Sequence, residues 1–244
     1  MLSAKGLLMR ARSRFRPPDQ TDHVEYNRAG WDSYAARWSP SHDGDTLGDE
    51  WAPPEEGVAD IIEDWVWPNV TPDSAAAEIG VGGGRIARMV APKVRELYCF
   101  DISSMMLKQA ERALRDQPNI TYGHLKDPSL PAELGGALDF IYSFDVFVHI
   151  DLHTMWKYVQ EVSRVLKPGG RSFLHTANLT APDGWERFAA QDHYHLDGHY
   201  FITPEIFRTL VGHTDLKILR ESSPDASNSV LNRDYLILLE KPAG

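Results

Sequence analysis

The 244-residue chain contains a single cysteine, Cys99, so it cannot form an intrachain disulfide. It also lacks any run of about 18 apolar residues, the length that would predict a membrane-spanning helix. The first residues contain no apolar core of the kind that a secretory signal carries. These absences together favour a protein of the reducing cytoplasm, with Cys99 as a small residue of the core.

Positive charge is also scarce, because 25 Lys and Arg stand against 35 Asp and Glu, a formal net charge of −10. Phosphate binding needs a basic surface, so this charge disfavours a protein that coats nucleic acid. Five of the cations nevertheless lie within the first 18 residues, which contain no acid. We therefore predict that residues 1–20 form a basic arm rather than a transit peptide. The arm would serve either as a contact in a homo-oligomer or as a tether to an anionic surface.

The rest of the composition is that of a globular protein, with 42% hydrophobic and 25% charged residues. The length suits one sizeable α/β domain with an extension. We predict that residues 71–244 form this domain and that residues 21–70 form a helical cap with a loop. The loop is expected over residues 39–56, where its acids either line the mouth of a site or are solvated. A helix over residues 55–66 is expected to follow.

An aromatic stripe runs through the predicted cap. Trp31, Tyr34, Ala35 and Trp38 recur at helical spacing, which predicts a helix with one aromatic face. Such a helix either packs on the core or covers a bound ligand, since aromatic side chains provide a flat lid.

The most informative segment is a glycine-rich run, Glu78-Ile79-Gly80-Val81-Gly82-Gly83-Gly84-Arg85. It joins small apolar residues to a helix-forming stretch, and α/β proteins bind nucleotide-like ligands where a strand turns through glycines into a helix. The dinucleotide fingerprint Gly-x-Gly-x-x-Gly would require a glycine where Arg85 stands. The pattern Glu-x-Gly-x-Gly-x-Gly instead resembles the first motif of the class I S-adenosylmethionine (SAM)-dependent methyltransferases.

Predicted strands and helices alternate from residue 74 onward, which is typical of a parallel, doubly wound sheet. The segments 216–220 and 235–239 have no predicted helix between them, so we predict that they form a closing hairpin. A helix that is stopped by Pro168-Gly169-Gly170 before a buried strand is also similar to the family. The resemblance implies a Rossmann-like, doubly wound, seven-stranded, mostly parallel sheet with an antiparallel terminal hairpin. The predicted strands are 74–79, 95–100, 119–124, 138–144, 170–177, 215–222 and 233–240, and the predicted helices are 84–92, 103–116, 153–166 and 203–211.

Asp101 is the second anchor of the predicted site, because it follows a strand and lies 21 positions after Gly80. A carboxylate there can accept hydrogen bonds from both hydroxyls of a ribose, whereas its alternative role is to cap the next helix. A third contact is expected after the strand near residue 120, from Leu125, Lys126 or Asp127. The resemblance implies that SAM is the cofactor and is bound by Glu78, Gly80, Gly82, Gly84, Asp101, Ile102, Leu125, Lys126, Phe144, Trp31 and Tyr34.

Another predicted strand ends in Ser143-Phe144-Asp145, at the edge where open α/β sheets bind ligands. His149 follows shortly afterwards and is the candidate general base for a hydroxyl acceptor, since histidine exchanges protons near neutral pH. The alternative is a histidine at a helix start that is hydrogen-bonded to Asp151. We predict catalytic roles for His149 and Asp145.

A polar and aromatic stretch over residues 191–201 follows the next strand, where loops of this fold usually cover the acceptor. We therefore predict that His193, His195, His199 and Tyr200 contact the substrate, and such a wall suits a hydroxylated acceptor. The alternative is a polar surface loop with incidental histidines.

The same loop suggests a metal hypothesis. Magnesium prefers carboxylate ligands, and Asp145 could be joined by Asp192 or Asp197. No recognised zinc spacing is present.

The sequence thus predicts a SAM-dependent methyltransferase that modifies a hydroxyl group of a small molecule. The Asn-Pro-Pro-Tyr motif of enzymes that methylate DNA bases is absent from residues 143–146, which disfavours nucleic acid as a partner. The chain looks similar to bacterial sugar and polysaccharide-precursor O-methyltransferases, which implies a saccharide intermediate as acceptor. The alternatives are a small-molecule N-methyltransferase and a non-catalytic SAM-binding regulatory module on the same fold.

Overall fold

The structure is a computed structural model, and it describes residues 22–38, 46–51 and 57–243. The predicted basic arm, residues 1–20, and most of the predicted loop over residues 39–56 lie outside the described residues. No helix in the described part of the chain combines the length and apolar character needed to cross a membrane.

A seven-stranded sheet with the order β3-β2-β1-β4-β5-β7-β6 forms the centre of the molecule. The first five strands are parallel, and β7 pairs antiparallel with both β5 and β6. This arrangement confirms the predicted doubly wound sheet with its antiparallel terminal hairpin. The strands are β1 (Ala75–Ile79), β2 (Glu96–Asp101), β3 (Ile120–His124), β4 (Leu138–Ser143), β5 (Leu166–Ala177), β6 (Lys217–Glu221) and β7 (Asp234–Glu240).

Helices cover the sheet, and several begin at a residue whose side chain bonds to the first turn. Asp22, Ser103 and Asp151 each accept a hydrogen bond from a backbone N–H of the helix that follows. The α-helices of the described residues are α1 (His23–Arg37), α2 (Val58–Ile61), α3 (Ala87–Val90), α4 (Ser104–Ala113), α5 (Leu152–Val165), α6 (Pro182–Ala190), α7 (Pro204–Val211) and α8 (Ser229–Arg233).

Each face of the sheet has its own apolar cluster. One cluster joins Ile141 and Leu174 of the sheet to Phe207 of α7, and the other joins Cys99 and Phe173 to α2, α3 and α4. Because both faces are covered, β1 is buried along its whole length and is apolar except for its one acid. Cys99 is fully buried, as the sequence predicted.

Several local predictions were wrong. The helix expected over 55–66 begins at Val58 and continues after Ile61 as a π-helical turn, Ile62–Val66. Helix α5 ends at Val165, before the proline, and Pro168 with the two glycines after it belongs to β5. A short helix, α8, lies between the two hairpin strands, where none was predicted.

Helix α6 was not predicted at all, because the sequence places a glycine inside it. A Cβ at Gly184 would lie 1.9 Å from the carbonyl oxygen of Asn178 and 2.7 Å from that of Arg233. The glycine therefore permits a close backbone approach that only the folded chain reveals.

Candidate active site

A cavity of about 620 Å³ lies at the carboxyl edge of the sheet, where β1, β2 and β4 end. Strand order reverses between β1 and β4, and this is the position at which open α/β sheets bind ligands. The ends of all three strands border the cavity, and Gly80, Asp101 and Asp145, which were predicted to lie at this edge, line it.

The glycines after β1 have different environments. Gly82 has a φ of 54°, and a Cβ added there would meet no protein atom within 4 Å. The backbone at Gly82 therefore borders open space, so that a ligand can approach it closely. Gly80 also lines the cavity, but its missing Cβ makes room for Val146.

Gly84 does not line the cavity, contrary to the prediction that it contacts the cofactor. A Cβ there would lie 2.9 Å from the side chain of Leu114. The residue therefore serves the packing of the glycine loop against α4.

Asp101 bonds to the glycine loop and to the start of α4, which both flank the cavity. Its carboxylate accepts hydrogen bonds from the N–H of Gly82, at 2.9 Å, and from the N–H of Ser103, at 2.7 Å. The side chain of Ser103 caps α4 by accepting a hydrogen bond from the N–H of Met106. Asp101 accepts from the N–H of this cap residue, so it supports the helix start without being the cap itself. Burial raises the pKa of Asp101 to about 6. Ile102, the next residue, also lines the cavity.

Glu78 lies at the floor of the cavity and is only 1% exposed. It accepts a hydrogen bond from the hydroxyl of Tyr142 at 3.0 Å. Burial raises the pKa of this carboxyl group well above its ordinary value and outweighs the hydrogen bond from Tyr142 and the charge of Arg85, which both lower it.

The contact that was expected after β3 is not formed by the predicted residues. Leu125 is buried in the core, and neither it nor Lys126 lines the cavity. The backbone oxygen of Lys126 instead accepts a hydrogen bond from Arg28 of α1. Pro128 is the residue of this segment that lines the cavity, whereas Asp127 borders a neighbouring cleft.

The aromatic face of α1 covers the cavity. Trp31 and Tyr34 both line it, and the ring of Trp31 meets the ring of His149 edge-on at a centroid distance of 5.2 Å. The hydroxyl of Tyr34 donates to Glu50 at 2.7 Å, and Glu50 also lines the cavity. The helix also packs against Leu47 and Met106 through Ala35, which is the first of the two roles considered for it.

Asp145 follows β4 with a φ of 59°, a conformation that non-glycine residues rarely adopt. Its carboxylate lies 2.7 Å from the guanidinium of Arg85, and its backbone N–H donates to Nδ1 of His175 at 3.0 Å. On the other side of the imidazole, Nε2 lies 3.0 Å from the carboxylate of Asp234, which is paired with Arg233. Phe144, the residue before Asp145, lines the cavity and stacks on His175.

This network sets the charges beneath the cavity. Burial alone would raise the pKa of Asp145, but His175 and Arg85 outweigh it and lower the pKa. Burial opposes the ionisation of Asp234 too, yet His175 and Arg233 lower its pKa to about 2. Both carboxylates are therefore ionised near neutral pH.

His149 ends a 3-10 turn, Phe147–His149, and lines the cavity. Its Nδ1–H donates to the carbonyl of Gly198 at 2.9 Å, which leaves Nε2 as the proton acceptor of the neutral ring. Burial lowers the pKa of His149, so the ring is neutral at pH 7. Asp151, the alternative partner, instead caps α5.

The predicted acceptor loop contributes only part of what was expected. His199 is 5% exposed and lines the cavity, and its ring meets that of His149 at a centroid distance of 5.8 Å. Burial lowers the pKa of His199 to about 3. By contrast, His193, His195 and Tyr200 do not line the cavity. The side chains of His193 and His195 are 71% and 42% exposed and pair with neighbouring aspartates.

The magnesium hypothesis has no support. The part of the chain that the structure describes contains no group of three or more His, Cys, Asp or Glu side chains arranged to hold a metal ion. Asp145 is paired with Arg85, and Asp192 is exposed beside His193.

Sequence reasoning missed several cavity residues because their elements were not predicted or their positions follow from tertiary packing. Arg85 was visible in the glycine motif, but only as a departure from the dinucleotide pattern. The missed residues include His23, Asn27, Arg85, Thr154, Tyr158, Arg187, Leu196 and Arg233.

Comparison with protein families gives a match over the strands and loops that border the cavity. Residues 77–174 match the family model described as a methyltransferase domain. The matched segment runs from β1 into β5 and contains the glycine loop, Asp101, Asp145 and His149.

Among curated proteins, the chain is similar to the ubiquinone biosynthesis O-methyltransferase of Xanthomonas oryzae pv. oryzae, with 27% identity over 104 residues. The match covers 42% of this chain and 43% of that protein, which is less than half of either.

Two solved structures are similar in fold. The N-methyltransferase NodS from Bradyrhizobium japonicum WM9, in complex with S-adenosyl-L-homocysteine, has a TM-score of 0.64 and 14% identity, covering 89% of this chain and 99% of that one. The geranyl diphosphate C-methyltransferase from Streptomyces coelicolor A3(2), in complex with Mg²⁺, geranyl diphosphate and S-adenosyl-L-homocysteine, has a TM-score of 0.65 and 15% identity, covering 92% and 100%. The family match over residues 77–174 and the fold shared with solved methyltransferases together support a methyltransferase domain.

Proposed function

We propose that this protein transfers a methyl group from SAM to a hydroxyl group of a small acceptor, with His149 as the general base. The observation that carries the proposal is the hydrogen bond from His149 Nδ1–H to the carbonyl of Gly198. It leaves Nε2 as the basic nitrogen of a half-buried, neutral ring that lines the cavity.

The residues at the edge of the sheet fit the cofactor. Gly82 offers backbone without a side chain beside open space, and Asp101 offers a buried carboxylate for the ribose hydroxyls. Glu78 would become ionised beside a cationic group, because a nearby positive charge offsets the burial that raises its pKa. The bound cofactor would supply a methyl group that is already activated by its sulfonium sulfur.

The protein would position the acceptor, keep water from the reacting atoms and remove the proton of the hydroxyl group. A hydroxyl must lose its proton as the methyl group is transferred, and a neutral imidazole can accept that proton near pH 7. Trp31 and Tyr34 would keep water from the reacting atoms, because they cover the cavity from α1.

An oxygen acceptor is favoured over a nitrogen acceptor by the placement of this base and by the name of the curated relative, an O-methyltransferase. The argument for a saccharide is weaker than the sequence indicated, since His193 and His195 are turned to solvent. We therefore propose a small hydroxylated acceptor and keep the saccharide as one candidate within that class.

The test has two parts. Calorimetry should measure saturable SAM binding, and incubation with methyl-labelled SAM and fractionated cell extract should label a small molecule. His149→Ala should retain SAM affinity and reduce turnover on the order of a hundredfold or more. Saturable binding without any labelled product would contradict the proposal in favour of a binding module, and unchanged turnover of His149→Ala would remove the base from the mechanism.

A further inference from the structure

The amide of Gln191 bonds to both backbone groups of His199. Its amide nitrogen, Nε2, donates to the His199 carbonyl at 2.9 Å, and its Oε1 accepts from the His199 N–H at 2.8 Å. A side chain that satisfies both groups of one residue fixes that residue in place, because the pair of bonds permits little rotation.

Gly198 is the neighbour that this arrangement positions. Its carbonyl accepts the hydrogen bond from Nδ1–H of His149, the bond that fixes the tautomer of the proposed base. A Cβ on Gly198 would lie 2.8 Å from Oε1 of Gln191, so the glycine allows the amide to reach His199.

The loop is attached to the His149 turn at two further points. The N–H of Tyr200 donates to the carbonyl of Val148 at 2.6 Å, and the hydroxyl of Tyr194 donates to the carbonyl of His149 at 2.7 Å. These bonds hold the loop near the turn, but neither involves the imidazole of His149. Among the described residues, the imidazole of His149 donates its hydrogen bond to the Gly198 carbonyl, and this bond determines which ring nitrogen carries the proton.

We propose that Gln191 is a positioning residue that selects the active tautomer of His149 by holding the Gly198 carbonyl against Nδ1. The proposal rests on the proposed function, in which Nε2 of His149 accepts the proton of the acceptor hydroxyl. It gives the loop a role at the site although two of its histidines, His193 and His195, are exposed.

The direct test observes the ring itself, without cofactor or acceptor. Long-range proton–nitrogen NMR of the full chain labelled with ¹⁵N-histidine distinguishes the two tautomers, and a His149→Gln sample assigns the signal. Wild type should carry the proton on Nδ1, with a pKa below the ordinary value of about 6.5. Gln191→Asn, whose shorter side chain cannot make both bonds, should give a mixture of tautomers.

The pKa of His149 should also fall further in Gln191→Asn. Burial is the main cause of the lowered pKa, and the hydrogen bond to the Gly198 carbonyl, which favours the protonated ring, partly offsets it. Loss of that bond should therefore move the acid limb of the activity profile to lower pH, and turnover should fall on the order of tenfold with SAM affinity retained.

Two further variants separate positioning from folding. Gly198→Ala should reproduce the change of tautomer, because its methyl group displaces the same amide. Gln160→Asn changes an exposed glutamine on α5 and should match wild type. Gln191→Asn with wild-type His149 signals and pKa would overturn the inference. Absence of methyl transfer by wild type would instead overturn the proposed function, since the NMR readout does not depend on it.

Discussion

Neighbouring glycines in the loop after β1 serve different purposes. Gly80 and Gly84 leave room for side chains of the protein, whereas Gly82 leaves room for something that is not protein. The sequence predicts a ligand-binding loop from the glycine run as a whole, but it does not distinguish the roles of Gly80, Gly82 and Gly84. Which glycine contacts a ligand depends on what packs behind each one, and that is decided by α4 and by the residues after β4.

This difference predicts the effect of Gly82→Ala. The new methyl group would occupy open space in the cavity, so SAM affinity should fall by tenfold or more, while the left-handed backbone costs about 1 kcal/mol of stability. Gly136→Ala is the matched control, since Gly136 has a φ of 63° and also has no protein atom within 4 Å of a Cβ. Calorimetry and urea unfolding should give equal losses of stability and a loss of affinity for Gly82→Ala alone. Equal SAM affinity in the two variants would contradict a ligand at Gly82.

The sequence predicted some of the helices that position the site, but not all of them. The aromatic spacing of α1 and the sequence after Asp101 predicted two helices that flank the cavity. Helix α6, which carries Arg187 into the cavity lining, was missed because glycine disfavours a helix interior. Local propensity could not reveal it, since Gly184 is required by the backbone oxygens of Asn178 and Arg233.

The close approach at Gly184 predicts that Gly184→Ala destabilises the protein, although alanine is the better helix former. Backbone oxygens cannot move aside as a flexible side chain can, so α6 must shift, at a cost of about 1–3 kcal/mol or more. Urea unfolding would measure this loss. Ala189→Ser, on the exposed side of the same helix, should stay within about 0.5 kcal/mol of wild type. A gain in stability for Gly184→Ala would show that α6 is not held against those oxygens.

Across the whole molecule, one buried network joins the parallel strands to the terminal hairpin. His175 on β5 lies between Asp145 after β4 and Asp234 at the start of β7, and Arg85 and Arg233 pair with the two carboxylates. The sequence predicted the strands and placed Asp145 at their edge. It could not predict the network, because Asp234 reaches His175 only through the antiparallel pairing of β5 with β7. The site therefore depends on strand pairing that lies far from it along the chain.

The network predicts how stability depends on pH. The pKa of Asp234 is about 2 in the folded protein, below the value of about 3.9 in an unfolded chain, so the folded state favours its ionised form. Its contribution, about 3 kcal/mol, is present above pH 4 and is lost as the pH falls from about 4 to about 2. The histidine and the arginine would lose their partner in Asp234→Asn, so this variant should be less stable than wild type at pH 7 by about 3 kcal/mol.

Unfolding of wild type and Asp234→Asn in urea at a series of pH values would measure both effects. The comparison cancels the carboxyl groups that the two proteins share, among them Asp101, whose raised pKa has the opposite influence on stability. The difference in unfolding free energy should therefore shrink as the pH falls through the pKa of Asp234. A difference that stays constant down to pH 2 would mean that Asp234 is not held ionised by His175 and Arg233, and the hairpin would then be joined to the site by strand pairing and packing without these charges.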